Sequence, residues 1–200
     1  MRGRRSRGFT MIELMISVVV IGTVVAMAVI EMQPQVQQSR ANAGMTEVLS
    51  VFRQAQAYAV AYRRYVEITF PNYPGTTANQ IQVTIKNSLT PNAGADVVFG
   101  TYTLEGSVYF QLMTGMPDTP DAFGNADAIE FEGTNGGPAS GLFFQPDGTF
   151  DDSTGTAANG TLFLGVTGYT STARAITVLG ATGRVKCYRG NPTNGWIQSF

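Results

Sequence analysis

The sequence predicts an α+β fold in which one long N-terminal helix packs on an antiparallel β-sheet domain. The chain is apolar from Phe9 to Ile30, and apolar residues then recur at three- and four-residue steps as far as Tyr62. That spacing is the period of a helix. After Arg64 the pattern changes to short alternating segments, separated by turns rich in Gly, Pro, Asn and Asp. A helix followed only by such segments is typical of this class.

The first predicted element is a membrane-length helix over residues 9–33. Phe9–Ile30 contains a single charged residue, Glu13. A helix of that length spans about 33 Å, close to the thickness of the hydrocarbon layer. The leader, residues 1–8, contains four arginines and no acid. The positive-inside rule therefore predicts a cytoplasmic N-terminus.

Two general interpretations of this start remain open on composition. A secretory signal peptide would need an A-x-A cleavage site, at Ala26–Ala28 inside the apolar run or at Ala41–Ala43 after a polar stretch. A plain membrane anchor accounts for the length but not for Glu13. A carboxylate at membrane depth costs about 2.5–3.5 kcal/mol on insertion scales and usually has a partner.

The stretch GFTMIELMISVVVIG (residues 8–22) resembles the class III signal of type IV prepilins and pseudopilins. The resemblance implies that a prepilin peptidase cuts between Gly8 and Phe9, and that the new N-terminus at Phe9 is N-methylated. It also implies that Glu13 pairs with the N-terminal amine of a neighbouring subunit. The implied location is the bacterial inner membrane and then an extracytoplasmic filament. The implied partners are the peptidase, other pilin or pseudopilin subunits and an inner-membrane assembly platform.

The second predicted element is an amphipathic stem over residues 34–64, continuous with the first and giving a helix of roughly 55 residues. Pro34 is expected to kink it, and Gly44 is a second expected weak point. The predicted apolar stripe is Met45, Val48, Leu49, Phe52, Ala55, Ala59 and Tyr62.

The third predicted part is an antiparallel β domain over residues 65–200. Its first strands are predicted at 65–70, 80–86, 97–104, 107–112 and 127–132. Four segments are similar to the GspH/FimT minor pseudopilin and minor pilin family. They are the helix end with the first strand (51–70), GLFFQPDGTFDD (141–152), GTLFLGVTGY (160–169) and ARAITVLGATGRVKCYR (173–189). The resemblance implies the pilin fold, with a strand, a PxG turn and a hairpin leading to a Gly-Arg-x-Arg/Lys ending.

Three basic residues near that ending are Arg184, Lys186 and Arg189. In a strand, residues 184 and 186 share one face, and the plainest interpretation is a solvated strand face. Some members of the family bind DNA near this ending, so the resemblance implies an alternative, a DNA-binding minor pilin for natural transformation. Three cations neutralise only about three phosphates. Without residues 1–8 the chain has nine basic and 14 acidic residues, which disfavours DNA as a partner.

The composition argues against an enzyme. The chain has no histidine, one cysteine (Cys187) and two lysines (Lys86 and Lys186), so the usual general base and transition-metal ligands are missing. We expect no catalytic residue, metal or cofactor, and a half-buried strand position for Cys187.

Asp147, Asp151 and Asp152 could form a calcium site, and the alternative is a β-turn at residues 145–149. The spacing of an EF-hand is absent, and proline followed by glycine favours the turn.

The sequence therefore predicts a structural subunit of a type IV pilus or of a type II secretion pseudopilus. The motifs are shared by both assemblies, and they do not distinguish a subunit at the filament tip from one in the bulk.

Overall fold

The computed structural model describes residues 9–87, 96–132, 141–191 and 195–199. The leader, with the predicted cleavage residue Gly8, lies outside the described residues. One helix, α1 (Met11–Tyr62), is followed in the described residues by eleven strands. The chain divides into two compact units, residues 1–36 and residues 37–200.

The strands form two antiparallel sheets within residues 37–200. Sheet A has the order β3-β2-β1-β6-β7, and sheet B has the order β11-β10-β9-β8-β4, with β5 also paired to β8. The strands of sheet A are β1 (Val66–Thr69), β2 (Gln80–Ile85), β3 (Val97–Thr103), β6 (Leu142–Phe144) and β7 (Phe150–Asp151). Those of sheet B are β4 (Val108–Phe110), β5 (Ile129–Phe131), β8 (Gly160–Val166), β9 (Tyr169–Leu179), β10 (Arg184–Asn191) and β11 (Gly195–Gln198).

The predicted packing of the helix on an antiparallel β domain is confirmed, and that domain consists of two sheets. Phe52 of the helix contacts Phe144 of sheet A, with ring centroids 6.1 Å apart. Ile176 and Cys187 of sheet B belong to the same buried core. Burying one large apolar side chain contributes about 1.5–3 kcal/mol, so this shared core stabilises the second half of α1 together with both sheets.

The apolar stripe of the stem is confirmed at six of its seven positions, which are buried. Tyr62 is the exception, and it is 64% exposed. It is the last residue of α1 and stacks on Tyr58, with ring centroids 4.3 Å apart. The periodicity continues to the end of the helix, but the core ends earlier.

The two expected weak points of the helix have different outcomes. Pro34 lies inside α1, which continues on both sides of it, and the kink expected there stays a prediction. Gly44 is buried, and a Cβ atom there would lie 3.1 Å from Cγ1 of Val108 on β4. Gly44 therefore permits a close helix–strand approach, which is a packing role and not a defect.

The first five predicted strands are confirmed, as β1 to β5. The predicted strand, turn and hairpin of the C-terminal part are also present, as β6 to β10. The sequence analysis missed β11, because Gly195–Gln198 is short and contains a glycine. It pairs with the last residues of β10.

Candidate functional site

Glu13 lies in the first turn of α1 and takes part in a reciprocal cap with Thr10. Its Oε2 accepts hydrogen bonds from the amide of Thr10 at 3.3 Å and from the Thr10 hydroxyl at 3.4 Å. In return, the amide of Glu13 donates to Oγ1 of Thr10 at 3.3 Å. This is a capping box, and a carboxylate there also interacts favourably with the helix dipole. The sequence analysis missed it, although Thr10 and Glu13 have the T-x-x-E spacing.

In the described part of the chain, the apolar side chains around Glu13 are not buried by other residues. Every residue from 9 to 36 is exposed, including Val20, at 54%, and Met11, at 84%. The helix is long and apolar enough to cross a membrane, judged by length and composition. An apolar surface this large indicates a lipid or protein environment.

The basic residues of β10 do not form one patch. Arg184 and Lys186 line a small cavity of about 60 Å³ on one face of sheet B. Arg189 lies five residues after Arg184, and strand alternation places it on the opposite face, with Cys187. The structure thus separates the three proposed DNA contacts into two groups.

Lys186 forms an ion pair with Asp121, from the segment before β5. The same carboxylate accepts hydrogen bonds from the hydroxyls of Thr177, at 2.6 Å, and Tyr188, at 2.8 Å. Burial raises the pKa of Asp121, but the hydrogen bonds from Lys186, Thr177 and Tyr188 outweigh it and lower the pKa overall. The hydrogen bond to Asp121 raises the pKa of Lys186. The charge of Lys186 is therefore compensated within the chain.

A buried arginine of β9 was missed by the sequence analysis. Arg174 is 1% exposed, and its Nε donates to Oδ1 of Asn42 on the helix at 2.8 Å. One of its terminal nitrogens donates to the carbonyls of Ser171, at 3.1 Å, and Ala173, at 2.7 Å. Burial and the neighbouring Arg189 lower the pKa of Arg174 to about 10. Its sequence context, alternating Ala-Arg-Ala, gave no sign that the arginine would face inward.

Two of the three candidate calcium ligands, Asp147 and Asp152, cap turns, and the third, Asp151, lies in β7 and accepts a hydrogen bond from Gln145. Oδ1 of Asp147 accepts from the amide and hydroxyl of Thr149 at 3.0 and 2.8 Å. Oδ1 of Asp152 accepts from the amides of Thr154 and Thr156 at 2.8 and 3.0 Å. The predicted turn is confirmed, with the amide of residue 148 donating to the carbonyl of residue 145 at 2.9 Å. Within the described ranges no group of three His, Cys, Asp or Glu residues could hold a metal ion.

Cys187 and Lys86 are both buried. Cys187 is fully buried rather than half-buried, and burial raises the pKa of its thiol to about 11, so the reactive thiolate is disfavoured. Lys86 lies 2.6 Å from Glu67 and 2.7 Å from Asp96. Burial lowers the pKa of Lys86, but the hydrogen bonds to Asp96 and Glu67 raise it overall, so the amine stays protonated.

Comparison with known proteins finds one matching family profile. Residues 3–29 match the family profile described as the prokaryotic N-terminal methylation motif. No curated protein matches the chain. The crystal structure of the type IV minor pilin FimU from Pseudomonas aeruginosa has a TM-score of 0.46 and 14% identity, and covers 84% of this chain and 97% of that chain. A similarity at that level does not indicate a function. Over residues 3–29, this chain is therefore similar to proteins that carry the prokaryotic N-terminal methylation motif.

Proposed function

We propose that this chain is a minor subunit of a type IV pilus or of a type II secretion pseudopilus, in the GspH/FimT group. The observation that carries the proposal is the methylation motif of residues 3–29, together with the exposed apolar stretch Phe9–Ile30, whose single charged residue is Glu13. The C-terminal segments that resemble that group support the finer assignment.

In the proposed mechanism a prepilin peptidase cuts between Gly8 and Phe9 at the cytoplasmic side of the inner membrane. Phe9 becomes the N-methylated terminus, and the helix of residues 9–36 packs among the helices of other subunits. Glu13 pairs with the amine of a neighbour, which compensates a carboxylate that is costly to bury alone. The unit of residues 37–200 forms the outer part of the filament.

The DNA-binding alternative stays a prediction with less support. Lys186 is ion-paired to Asp121, and Arg184 and Arg189 lie on opposite faces of β10. A groove that follows a phosphate backbone needs several cations on one face.

The first test is the N-terminal mass of the protein recovered from membranes, with and without a prepilin peptidase. We expect a chain that begins at Phe9 and carries one added methyl group only when the peptidase is present. A chain that begins near Val29 or Gly44, or that keeps Met1, would contradict the proposal.

A second test separates the two roles of Glu13. Gln also closes a capping box, so Glu13→Gln keeps the cap of α1 but removes the charge. We expect this variant to be processed normally but to be lost from sheared filaments, since the amine of the neighbour has no carboxylate. Glu31→Gln, in the same helix, is the control and should assemble normally. Normal assembly of Glu13→Gln would mean that Glu13 acts only as a cap.

A further inference from the structure

Strand β3 forms one edge of sheet A, and among the described strands only β2 pairs with it. Its seven residues, VVFGTYT, include no charged residue and no proline. Val97 is 61% exposed and Val98 is 54% exposed. The other edge of the sheet is the two-residue strand β7, which contains Asp151. Edge strands are commonly protected by short length, by charged residues or by proline, and β3 has none of these three.

A bulge at Phe99 decides which way the side chains of β3 point. In the pairing with β2, Gly100 and Val98 lie opposite consecutive residues, so Phe99 is an extra residue of β3. Its ring lies 5.3 Å from the ring of Tyr58 on α1. Gly100 shares the face of Tyr102, two residues later, and Val98 therefore points to the opposite face.

The two faces of β3 have different surroundings. The hydroxyl of Tyr102 donates to Oε1 of Gln54 on the helix at 3.1 Å, so this face of the strand is turned toward α1. Thr101 and Thr103, on either side of Tyr102, point away from the helix. Val98 shares their face, and all three residues are exposed. The outward face of β3 is therefore open to a second strand along its free edge.

A register centred on Thr101 makes β3 complementary to itself in the antiparallel direction. Thr101 of one copy then lies opposite Thr101 of the other, and Gly100 lies opposite Tyr102. Beyond the bulge, which each strand skips as it does in the pairing with β2, Val98 lies opposite Thr103. Every pair joins two residues of the same face, as directly opposite residues of paired strands do. The glycine leaves room for the tyrosine ring, and the other two pairs join β-branched side chains without like charges.

We propose that the free edge of β3 binds β3 of a second copy of this chain and joins the two A sheets into one continuous sheet. A second copy is the occupant because the strand complements its own sequence. Backbone hydrogen bonds along the edge supply affinity, and the side-chain pairs fix the register. The contact is the same on both copies, so it closes with two copies. This pairing involves residues 37–200 only, and it does not depend on the proposed function.

The first test uses the full-length chain in detergent and single cysteines on the outward face of β3. The variants are Val98→Cys, Thr101→Cys and Thr103→Cys, all at exposed positions, and circular dichroism checks that they fold. The native Cys187 is buried, and the wild type shows whether it reacts. Mild oxidation followed by non-reducing electrophoresis measures the cross-linked dimer.

We expect Thr101→Cys to cross-link with itself, because directly opposite Cα atoms lie about 4.5–5.5 Å apart, within the range of a disulfide. Thr103→Cys alone is the matched control and should not cross-link, since its two copies lie about 13 Å apart along the strands in this register. A mixture of Val98→Cys and Thr103→Cys should cross-link, because these two residues are then opposite each other.

The second test places a charge at the centre of the pairing. Thr101→Lys brings two ammonium groups opposite each other and should weaken self-association about tenfold in sedimentation velocity. Thr101→Val keeps a β-branched side chain and is the matched control. Equal cross-linking of Thr101→Cys and Thr103→Cys, a mixture that forms no cross-link, or equal association of Thr101→Lys and Thr101→Val would each overturn the proposal. N-terminal processing does not involve β3, so its outcome tests the proposed function separately.

Discussion

At the scale of single residues, Gln56 of the helix contacts two glycines of the C-terminal pattern, Gly148 and Gly183. Nε2 of Gln56 donates to the carbonyl of Gly148, in the PxG turn, at 2.8 Å, and to the carbonyl of Thr182 at 3.2 Å. Gly183 has a φ of 61°, and a Cβ atom there would collide with the carbonyl of Gly148 and the amide of Gln56. The turn, the hairpin and the helix therefore pack so closely at Gly183 that a side chain does not fit there.

We predict that Gly183→Ala lowers the free energy of unfolding by at least about 2 kcal/mol, because it combines left-handed strain with a steric clash. Gly168→Ala is the matched control, because Gly168 has a φ of 84° but no neighbour within 4 Å of the added Cβ. Urea unfolding of both variants measures the difference. Equal losses would show that backbone strain alone, without the contact to Gln56, decides the cost.

Asp121 is a residue whose charge state should affect stability in acid, because its carboxylate is ion-paired to Lys186. Because its hydrogen bonds hold its pKa below the ordinary value of 3.8, its stabilising effect is complete at neutral pH. That effect is lost as the pH falls through the lowered pKa. Lys186, with a raised pKa, loses its contribution only as the pH rises above its ordinary value of 10.5.

We predict that Asp121→Asn lowers the free energy of unfolding at pH 7 by about 1–3 kcal/mol, because the ammonium of Lys186 loses its partner. The variant should also lose part of the decrease in stability that the wild type shows below pH 4. Asp127→Asn, at an exposed position, is the control and should change neither quantity. Urea titrations between pH 3 and pH 7 provide the measurement.

At the scale of elements, the helix illustrates what periodicity can and cannot predict. The stripe from Met45 to Ala59 was readable from the sequence, because an amphipathic helix must bury one face. The close contact at Gly44 was not readable, since it depends on which strand crosses the helix there.

We predict that Gly44→Val destabilises residues 37–200 by about 1–3 kcal/mol through overpacking against Val108. Adding Val108→Ala should recover part of the loss, which gives a positive coupling in a double-mutant cycle. Gly22→Val, at a helix position with no neighbour within 4 Å, should leave the stability of residues 37–200 unchanged. Thermal unfolding followed by circular dichroism measures Gly44→Val, Val108→Ala, the double variant and Gly22→Val. Additive effects of the changes at residues 44 and 108 would argue against direct contact.

The strands show the same division between local and non-local information. Alternation predicted β1 to β5 because a half-buried strand repeats every two residues. It did not predict two sheets, since alternation gives the buried face of a strand but not its neighbours. The basic residues of β10 were found by composition. The ion pair of Lys186 with Asp121 was not predictable from the sequence, because the two residues lie 65 positions apart in the chain.

At the scale of the whole molecule, the two units differ in what they bury. The buried apolar residues all lie from Ala41 onward, and no residue from 9 to 36 is buried. Residues 9–36 therefore bury no side chain within the described part of the chain. The second unit has a continuous core that includes the last part of α1, which agrees with the proposal that the first unit packs against a membrane or other subunits.

We predict that residues 37–200 fold without the first 36 residues, because the truncation removes no buried side chain. The thermal midpoint should change by only a few degrees, since a loss of 1 kcal/mol corresponds to about 2–4 °C for a domain of this size. A fragment of residues 46–200 is the matched control. It lacks the buried Ala41 and Met45 and also Asn42, which accepts a hydrogen bond from Arg174, so it should unfold at a much lower temperature or fail to fold. Circular dichroism melting curves of the two fragments provide the comparison, and equal stability of the two would show that the helix before residue 46 contributes little to the core.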